Sequence, residues 1–186
     1  MNESPIAITP YGFACEGVYF PSPNHDARPA TDISLIVIHN ISLPPKQYGG
    51  NGIVELFTNQ LDPKAHTYFQ EIHHLKVSSH FLIRRDGKLI QFVSCLERAW
   101  HAGQSIWHGR ERCNDFSVGI ELEGSDEDSF ELAQYVTLNR LIDGLNAVYP
   151  IRAIAGHSDI APNRKTDPGP FFDWGKIKAI KPQHNK

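Results

Sequence analysis

The chain has 186 residues, 40 % of them hydrophobic and 21 % charged, and its formal net charge is −3. This size and composition are typical of one soluble globular domain with its own core. The small negative charge argues against nucleic acid or an anionic membrane as a partner, and no apolar stripe requires a protein partner. No apolar run could span a bilayer and the N-terminus lacks a secretory pattern, so we expect a cytoplasmic protein.

Histidine and cysteine give opposite indications about metal chemistry. Ten histidines are present, and histidine is the commonest metal ligand and titrates near neutral pH, so we searched for a site among them. The three cysteines, Cys15, Cys95 and Cys113, are widely spaced and form no C-x-x-C pair. Neither a cysteine-rich zinc site nor a disulfide framework is therefore predicted.

The first third of the chain contains one strong strand pattern. Residues 1–30, rich in Pro, Asn and small side chains, indicate an irregular lead-in. The run "ISLIVIH", Ile33–His39, predicts a strand buried on both faces because it is continuously β-branched or leucine-rich. After a loop marked by Pro-Pro and Gly-Gly, we predict two short helices, over Ile53–Leu61 and Ala65–His74.

The rest of the chain alternates between strands and helices. Ser78–Ser94 predicts a hairpin around the turn pair Asp86-Gly87, and "DFSVGIELEG", Asp115–Gly124, predicts another strand. A helix is expected over Phe130–Tyr149, where apolar residues recur at three and four spacing. Its predicted buried face consists of Leu138, Leu141, Ile142, Leu145 and Val148.

A further strand, "IRAIAGH", and a last helix after Phe172 complete the prediction, with residues 175–186 as the helix end and tail. Strands interspersed with helices favour an α/β fold, a single mixed sheet flanked by helices. We therefore predict one domain over residues 1–186.

Three polar residues come at or near the ends of predicted strands. His39 ends one, Glu121 lies in another and His157 follows a third, so the three are expected to share a crevice. A catalytic zinc takes three protein ligands and leaves a fourth position open. The two histidines supply two of them, and either Asp159 or Asp167 could supply an oxygen as the third.

Each of these residues also has a simpler interpretation. A single histidine after a strand is more often a satisfied polar group than a ligand. His80 and His101 have no acidic or cysteine partner at ligand spacing, so neither is predicted as a ligand. Glu121 and Glu123 both lie in the same predicted strand, and spacing does not choose which of the two carboxylates is functional.

Five segments, taken in order, carry a family resemblance. They are "LIVIHN", "SSHFLIRRDGKLIQFV", "RAWHAG", "GRERCNDFSVGIELEG" and "GHSDIAPNRKTDPGPFFDW". Together they resemble the zinc-dependent N-acetylmuramoyl-L-alanine amidases, in particular those of cytoplasmic peptidoglycan recycling. The resemblance implies the mixed-sheet fold that these amidases share with peptidoglycan-recognition proteins.

The resemblance also implies roles for single residues. It assigns one zinc ion to His39, His157 and Asp167, an acidic catalytic residue to Glu121 and a catalytic lysine to Lys165. All five positions carry the residue type of the family pattern.

The implied substrate is a small molecule, an anhydromuropeptide cut at the amide between N-acetylmuramic acid and L-alanine. Arg112 is predicted to clamp a peptide carboxylate, and Asn40 and Trp100 are further candidates for substrate contact. Asp159 is interpreted as a residue that fastens its loop by accepting backbone hydrogen bonds. Arg164 is expected either to face outward or to fasten the same loop.

Two other functions remain open at this stage. The same fold could form a recognition module that binds peptidoglycan without cutting it, although the complete residue set counts against this. A phage or periplasmic cell-wall amidase is the other alternative, and it differs in location and in acting on the intact wall.

Overall fold

A computed structural model of the chain describes residues 4–29 and 32–179. Its strands are β1 (Val18–Tyr19), β2 (His25–Ala27), β3 (Leu35–Ile41), β4 (Phe81–Ile83), β5 (Leu89–Gln91), β6 (Glu97–Ala99), β7 (Ile106–Trp107), β8 (Arg110–Glu111), β9 (Ser117–Glu123) and β10 (Ala153–Gly156). Its helices are α1 (Gly52–Phe57), α2 (Thr67–Ile72), α3 (Leu132–Val148) and α4 (His157–Ile160). The predicted strands and helices occur except for the last helix, and most are shorter than expected.

A mixed six-stranded sheet lies at the centre, in the order β1-β5-β4-β9-β3-β10. Four neighbouring strands run parallel to one another: β4, β9, β3 and β10. Strand β5 is antiparallel to β4, and β1 is parallel to β5. Two small antiparallel pairs, β2 with β6 and β7 with β8, lie outside this sheet. The predicted fold class, one mixed sheet flanked by helices, is confirmed.

Strand β3 is the most deeply buried part of the sheet. Leu35, Ile36, Val37 and Ile38 are each at most 1 % exposed. Because successive side chains point to opposite faces, burial of all four means that both faces are covered. The continuous apolar run predicted this correctly.

Helices cover the sheet on both sides. Helix α3 packs against Ile36, Ile38 and their neighbours on one face, while α1 and α2 pack around Leu82 and Ile90 on the other. The prediction that one face of α3 is buried is confirmed for Leu138, Leu141, Ile142 and Leu145. It is wrong for Val148, which is 47 % exposed. Val148 is the last residue of the helix, and Tyr149 beside it is buried instead.

The N-terminal segment is only partly irregular, in contrast to the prediction. Strand β1 extends the main sheet and β2 pairs with β6. Ile6 is buried, and its backbone N–H donates to the carbonyl of Arg140 in α3. Gly144 permits this contact, because a Cβ at that position would lie 1.8 Å from the Ile6 carbonyl oxygen.

The predicted last helix is wrong within the described residues. After the buried Phe172 there is a single 3-10 turn, Trp174–Lys176. The side chain of Asn139 in α3 donates to the carbonyl of Lys176 and accepts from the N–H of Lys178. These backbone groups thus bond to α3 and not to a helix of their own, and residues 180–186 lie outside the described part.

Across residues 4–29 and 32–179, every helix is too short or too polar to cross a membrane.

The side chain of Gln134 links α3 to the sheet by hydrogen bonds, so its replacement should lower the stability of the fold. Its side-chain amide donates to the carbonyls of Ile83 and Glu123, and its Oε1 accepts from the N–H of Glu131. Replacing Gln134 with Met, which has a similar shape, leaves these buried groups unpaired. We expect the free energy of unfolding, measured by urea titration, to fall by about 1–3 kcal/mol.

Gln70→Met on the exposed side of α2 is the control, since its side chain makes no comparable contact. An equal effect from both substitutions would contradict this role of Gln134.

Candidate metal centre

The predicted site residues other than Arg112 meet in one pocket, because three parallel strands end beside each other. His39 in β3 pairs in register with Glu121 in β9. On the other side, β10 pairs with β3 so that Gly156 lies opposite Ile38, and His157 follows immediately. The pocket there has a volume of about 630 Å³, and its polar lining includes His39, Asn40, Trp100, Glu121, His157, Lys165 and Asp167.

Three ligand atoms converge at the bottom of this pocket. The Nδ1 atoms of His39 and His157 lie 3.0 Å apart, and Asp167 Oδ2 lies 3.0 Å from the first and 3.1 Å from the second. A tetrahedral zinc with bonds of about 2.0 Å holds its ligand atoms about 3.3 Å from one another. The triangle is close to this size, and two imidazoles with one carboxylate are donors that zinc accepts.

The outer nitrogen of each imidazole also has a partner. His157 Nε2 donates to the carbonyl oxygen of Ala102 at 3.1 Å, because a carbonyl can only accept. In the neutral form that metal ligation requires, this is the ring's one N–H, and Nδ1 then presents its lone pair to the centre of the triangle. The outer nitrogen of His39 lies 3.0 Å from Nδ1 of His101.

Burial keeps the imidazole of His39 neutral. Its side chain is 2 % exposed, and this removal from water lowers the pKa of His39 to about 4. Metal ligation requires the neutral ring. Lone pairs on two imidazoles and a carboxylate oxygen therefore face one another, an arrangement that a cation stabilises.

Glu121 lies beside the triangle, and its carboxylate is buried. It is 7 % exposed, and its Oε2 has no hydrogen-bond partner within the described residues. Burial, followed by the negative charge of Asp167, raises the pKa of Glu121 well above its usual value, and the positive charge of Lys165 acts in the opposite direction. An unsatisfied buried carboxylate with a raised pKa next to a pocket makes Glu121 a candidate functional residue.

The loop after β10 delivers both His157 and Asp167. The backbone N–H of Ser158 donates to the carbonyl of Asp167 at 2.9 Å, which joins the two ends of the loop. Asp159 Oδ2 accepts from the N–H of Gly156 at 2.7 Å, so its predicted fastening role is confirmed. Arg164 donates to the carbonyls of Ala102 and Gln104 and therefore fastens the loop as well.

The three candidate substrate contacts have different positions. Asn40 lines the pocket, and its amide donates to Asp126 and to the carbonyl of Pro168, which holds the loop. Trp100 is half-buried in the pocket wall with its ring N–H directed to Asp26. Arg112 is not in this pocket: it lines an adjacent one and forms an ion pair with Asp115.

Sequence reasoning missed the residues behind the ligands. His101 has no acidic or cysteine partner at ligand spacing in the sequence, yet its ring contacts His39. Ala102 acts through its backbone carbonyl, which no side-chain pattern reveals. The short motif "WHAG" was the only available signal.

Comparison with known proteins identifies the family of the chain. The family model Amidase_2, N-acetylmuramoyl-L-alanine amidase, matches residues 29–170. The chain belongs to this family.

The chain is similar to several characterised members. The 1,6-anhydro-N-acetylmuramyl-L-alanine amidase AmpD of Citrobacter freundii is 53 % identical over 172 residues, covering 91 % of this chain and 92 % of that protein. A crystal structure of an AmpD derivative superposes with a TM-score of 0.89 at 52 % identity, covering 91 % and 97 % of the two chains. The amidase AmiD of E. coli, solved with the substrate anhydro-N-acetylmuramic acid-L-Ala-D-gamma-Glu-L-Lys, has a TM-score of 0.57 at 33 % identity, covering 82 % and 60 %.

The two aspartates of one loop test the ligand assignment. We expect Asp167→Ala to lose stoichiometric zinc, because it removes one corner of the triangle. Asp159→Ala removes only the side-chain oxygen that accepts from the backbone N–H of Gly156. This variant should keep zinc and lose about 0.5–2 kcal/mol of unfolding free energy. Metal content by mass spectrometry and unfolding by urea measure the two effects. Stoichiometric zinc in purified Asp167→Ala would contradict the assignment.

Proposed function

We propose that this protein hydrolyses the amide bond between anhydro-N-acetylmuramic acid and L-alanine in soluble muropeptides, with one zinc ion, during cytoplasmic cell-wall recycling. The observation that carries the proposal is the convergence of His39 Nδ1, His157 Nδ1 and Asp167 Oδ2 beside the buried Glu121. The similarity to AmpD over most of both chains supports the choice of substrate.

An amide is a poor electrophile and neutral water is a poor nucleophile, so the site has to activate both. A zinc ion bound by His39, His157 and Asp167 supplies Lewis acidity, which makes a water molecule more acidic and polarises the scissile carbonyl. These three residues line the pocket, and its volume of about 630 Å³ leaves room for water and substrate.

Glu121 is proposed as the group that moves the proton. Its carboxylate accepts a proton as water attacks the carbonyl carbon, and it then donates this proton to the nitrogen of L-alanine as the carbon–nitrogen bond breaks. Water thus adds across the amide, and the products are the free lactyl carboxylate of the sugar and a peptide with a free amino terminus. The raised pKa of Glu121 supports the second half of this cycle, in which it acts as an acid.

Lys165 is proposed to stabilise the negative charge that develops on the carbonyl oxygen. It lines the same pocket, and its charge acts on Glu121 and His39. A fixed cation at a developing oxyanion is most effective in a site that excludes bulk water. Trp100 in the pocket wall offers an aromatic face for the sugar, and Asn40 keeps the Asp167 loop in position.

The direct test is incubation of the purified protein with anhydro-N-acetylmuramyl-L-alanyl peptides and mass spectrometry of the products. We expect the anhydro sugar and a peptide beginning with L-alanine, and no turnover after removal of the metal by a chelator. Metal-loaded protein that binds these peptides without cutting them would favour the recognition module instead. Release of peptides from intact sacculi in preference to soluble fragments would favour a cell-wall amidase.

The proposed proton transfer makes Glu121→Gln informative. The amide is nearly isosteric and is not one of the three ligands, so bound zinc should remain stoichiometric. Loss of the proton acceptor should lower kcat by about 10²–10⁴-fold. Glu71→Gln on the exposed side of α2 is the matched control. A Glu121→Gln enzyme with kcat near that of the control would show that another group moves the proton.

Lys165→Met tests the electrostatic role separately. We expect kcat to fall by about 10²–10³-fold with a much smaller change in KM, because the charge acts mainly in the transition state. Lys64→Met, at another exposed position, controls for the loss of one positive charge. A change in KM alone would instead assign Lys165 to substrate binding.

A further inference from the structure

His101 is not one of the three ligand residues, yet its ring lies between His39 of β3 and Ser117 of β9. Its Nδ1 is 3.0 Å from Nε2 of His39, and its Nε2 is 3.2 Å from Oγ of Ser117. Because histidine nitrogens can donate or accept, the direction of these two hydrogen bonds has to be derived from their neighbours.

The hydroxyl of Ser117 determines the direction of the hydrogen bond between Ser117 and His101. Ser117 Oγ donates to the carbonyl oxygen of Cys113 at 2.6 Å, and a carbonyl can only accept. A hydroxyl has a single proton, so Ser117 Oγ must accept from His101 Nε2–H. The described residues place no carboxylate within hydrogen-bond distance of this ring to balance a second proton, so the ring carries this one N–H.

The direction of the hydrogen bond between His101 and His39 follows from this. His101 Nδ1 has no proton and accepts, so His39 Nε2 must carry the N–H that it donates. In this tautomer His39 has a lone pair on Nδ1, the atom that lies 3.0 Å from Asp167 Oδ2. The hydrogen bonds thus run from His39 through His101 and Ser117 to the carbonyl of Cys113.

Two further features hold His101 in this position. Gly119 in β9 leaves space for the ring, because a Cβ there would lie 2.5 Å from His101 Cγ and 2.7 Å from its Nδ1. The side-chain oxygen of Asn114 accepts from the backbone N–H groups of His101 and Ala102. The same short segment therefore contacts both ligand histidines, since the carbonyl of Ala102 accepts from His157.

We propose that His101 is a positioning residue that fixes His39 in the tautomer with Nε2–H, through a hydrogen-bond relay anchored by Ser117. The inference rests on the metal centre of the proposed function, but it concerns the free protein as well. Residues behind a metal-binding histidine typically contribute about 10- to 100-fold to metal affinity.

The tautomer is measured directly on the full, metal-free chain. Long-range nitrogen–proton NMR spectra should show His39 of the unsubstituted protein with its proton on Nε2. Ser117→Ala, a small change at a buried position, should leave the fold intact and give His39 a mixture of tautomers. A proton on Nδ1 of His39 in the unsubstituted protein, or an unchanged tautomer in Ser117→Ala, would overturn the proposal.

Zinc affinity, measured by competition with a chelator, gives the second readout. His101→Leu removes the acceptor and should weaken zinc binding by about 10- to 100-fold. His101→Asn retains a carbonyl oxygen close to the place of Nδ1 and should restore most of the affinity. His74→Leu, at an exposed position, is the control and should bind zinc normally.

The outcomes separate this proposal from the proposed function. If His101→Leu and the control bind zinc equally well, the relay has no positioning role, whatever the activity. If the unsubstituted protein shows the Nε2–H tautomer and the affinities follow the expected order, the relay stands even when no muropeptide is cut. If His101→Leu does not fold, the tautomers of the unsubstituted protein and of Ser117→Ala decide the result.

Discussion

The site depends on the parallel pairing of β3 with its two neighbours. Pairing with β9 puts Glu121 directly beside His39, and pairing with β10 brings His157 to the same edge. A shift of one residue would turn one of these side chains to the opposite face of the sheet. The apolar residues of β3 and β9 fix this register, because they are buried on both faces. The hydrophobic core therefore sets the positions of the polar site.

The arrangement has an electrostatic cost that the fold alone does not compensate. Two imidazole lone pairs and the carboxylate of Asp167 face one another within 3.1 Å, and the carboxylate of Glu121 lies buried beside them. Isolated buried charges are unfavourable, so such a cluster persists because the surrounding structure holds it. The loop after β10 provides this support through two hydrogen bonds. The N–H of Ser158 donates to the carbonyl of Asp167, and the N–H of Gly156 donates to the side chain of Asp159. A bound cation converts the same cluster into a favourable site.

Sequence patterns predicted the parts of this structure that depend on local periodicity. The strand before His39 and the face of α3 follow from apolar spacing, and the loop that carries His157 follows from its prolines. Spacing left Asp159 and Asp167 equivalent, and the family resemblance separated them. His101 could not be found in this way, because its partners His39 and Ser117 lie on two different strands. The prediction of a last helix was wrong because the side chain of Asn139 in α3 donates to the backbone carbonyl of Lys176. This is a tertiary contact, and no local sequence pattern indicates it.

We propose that His39 Nδ1, His157 Nδ1 and Asp167 Oδ2 hold one metal ion at the edge of the sheet. Anomalous diffraction on either side of the zinc absorption edge, from crystals grown with zinc, locates such an ion. We expect one strong peak within bonding distance of these three atoms and beside the carboxylate of Glu121. A peak elsewhere, or coordination through Nε2 of either histidine, would contradict it.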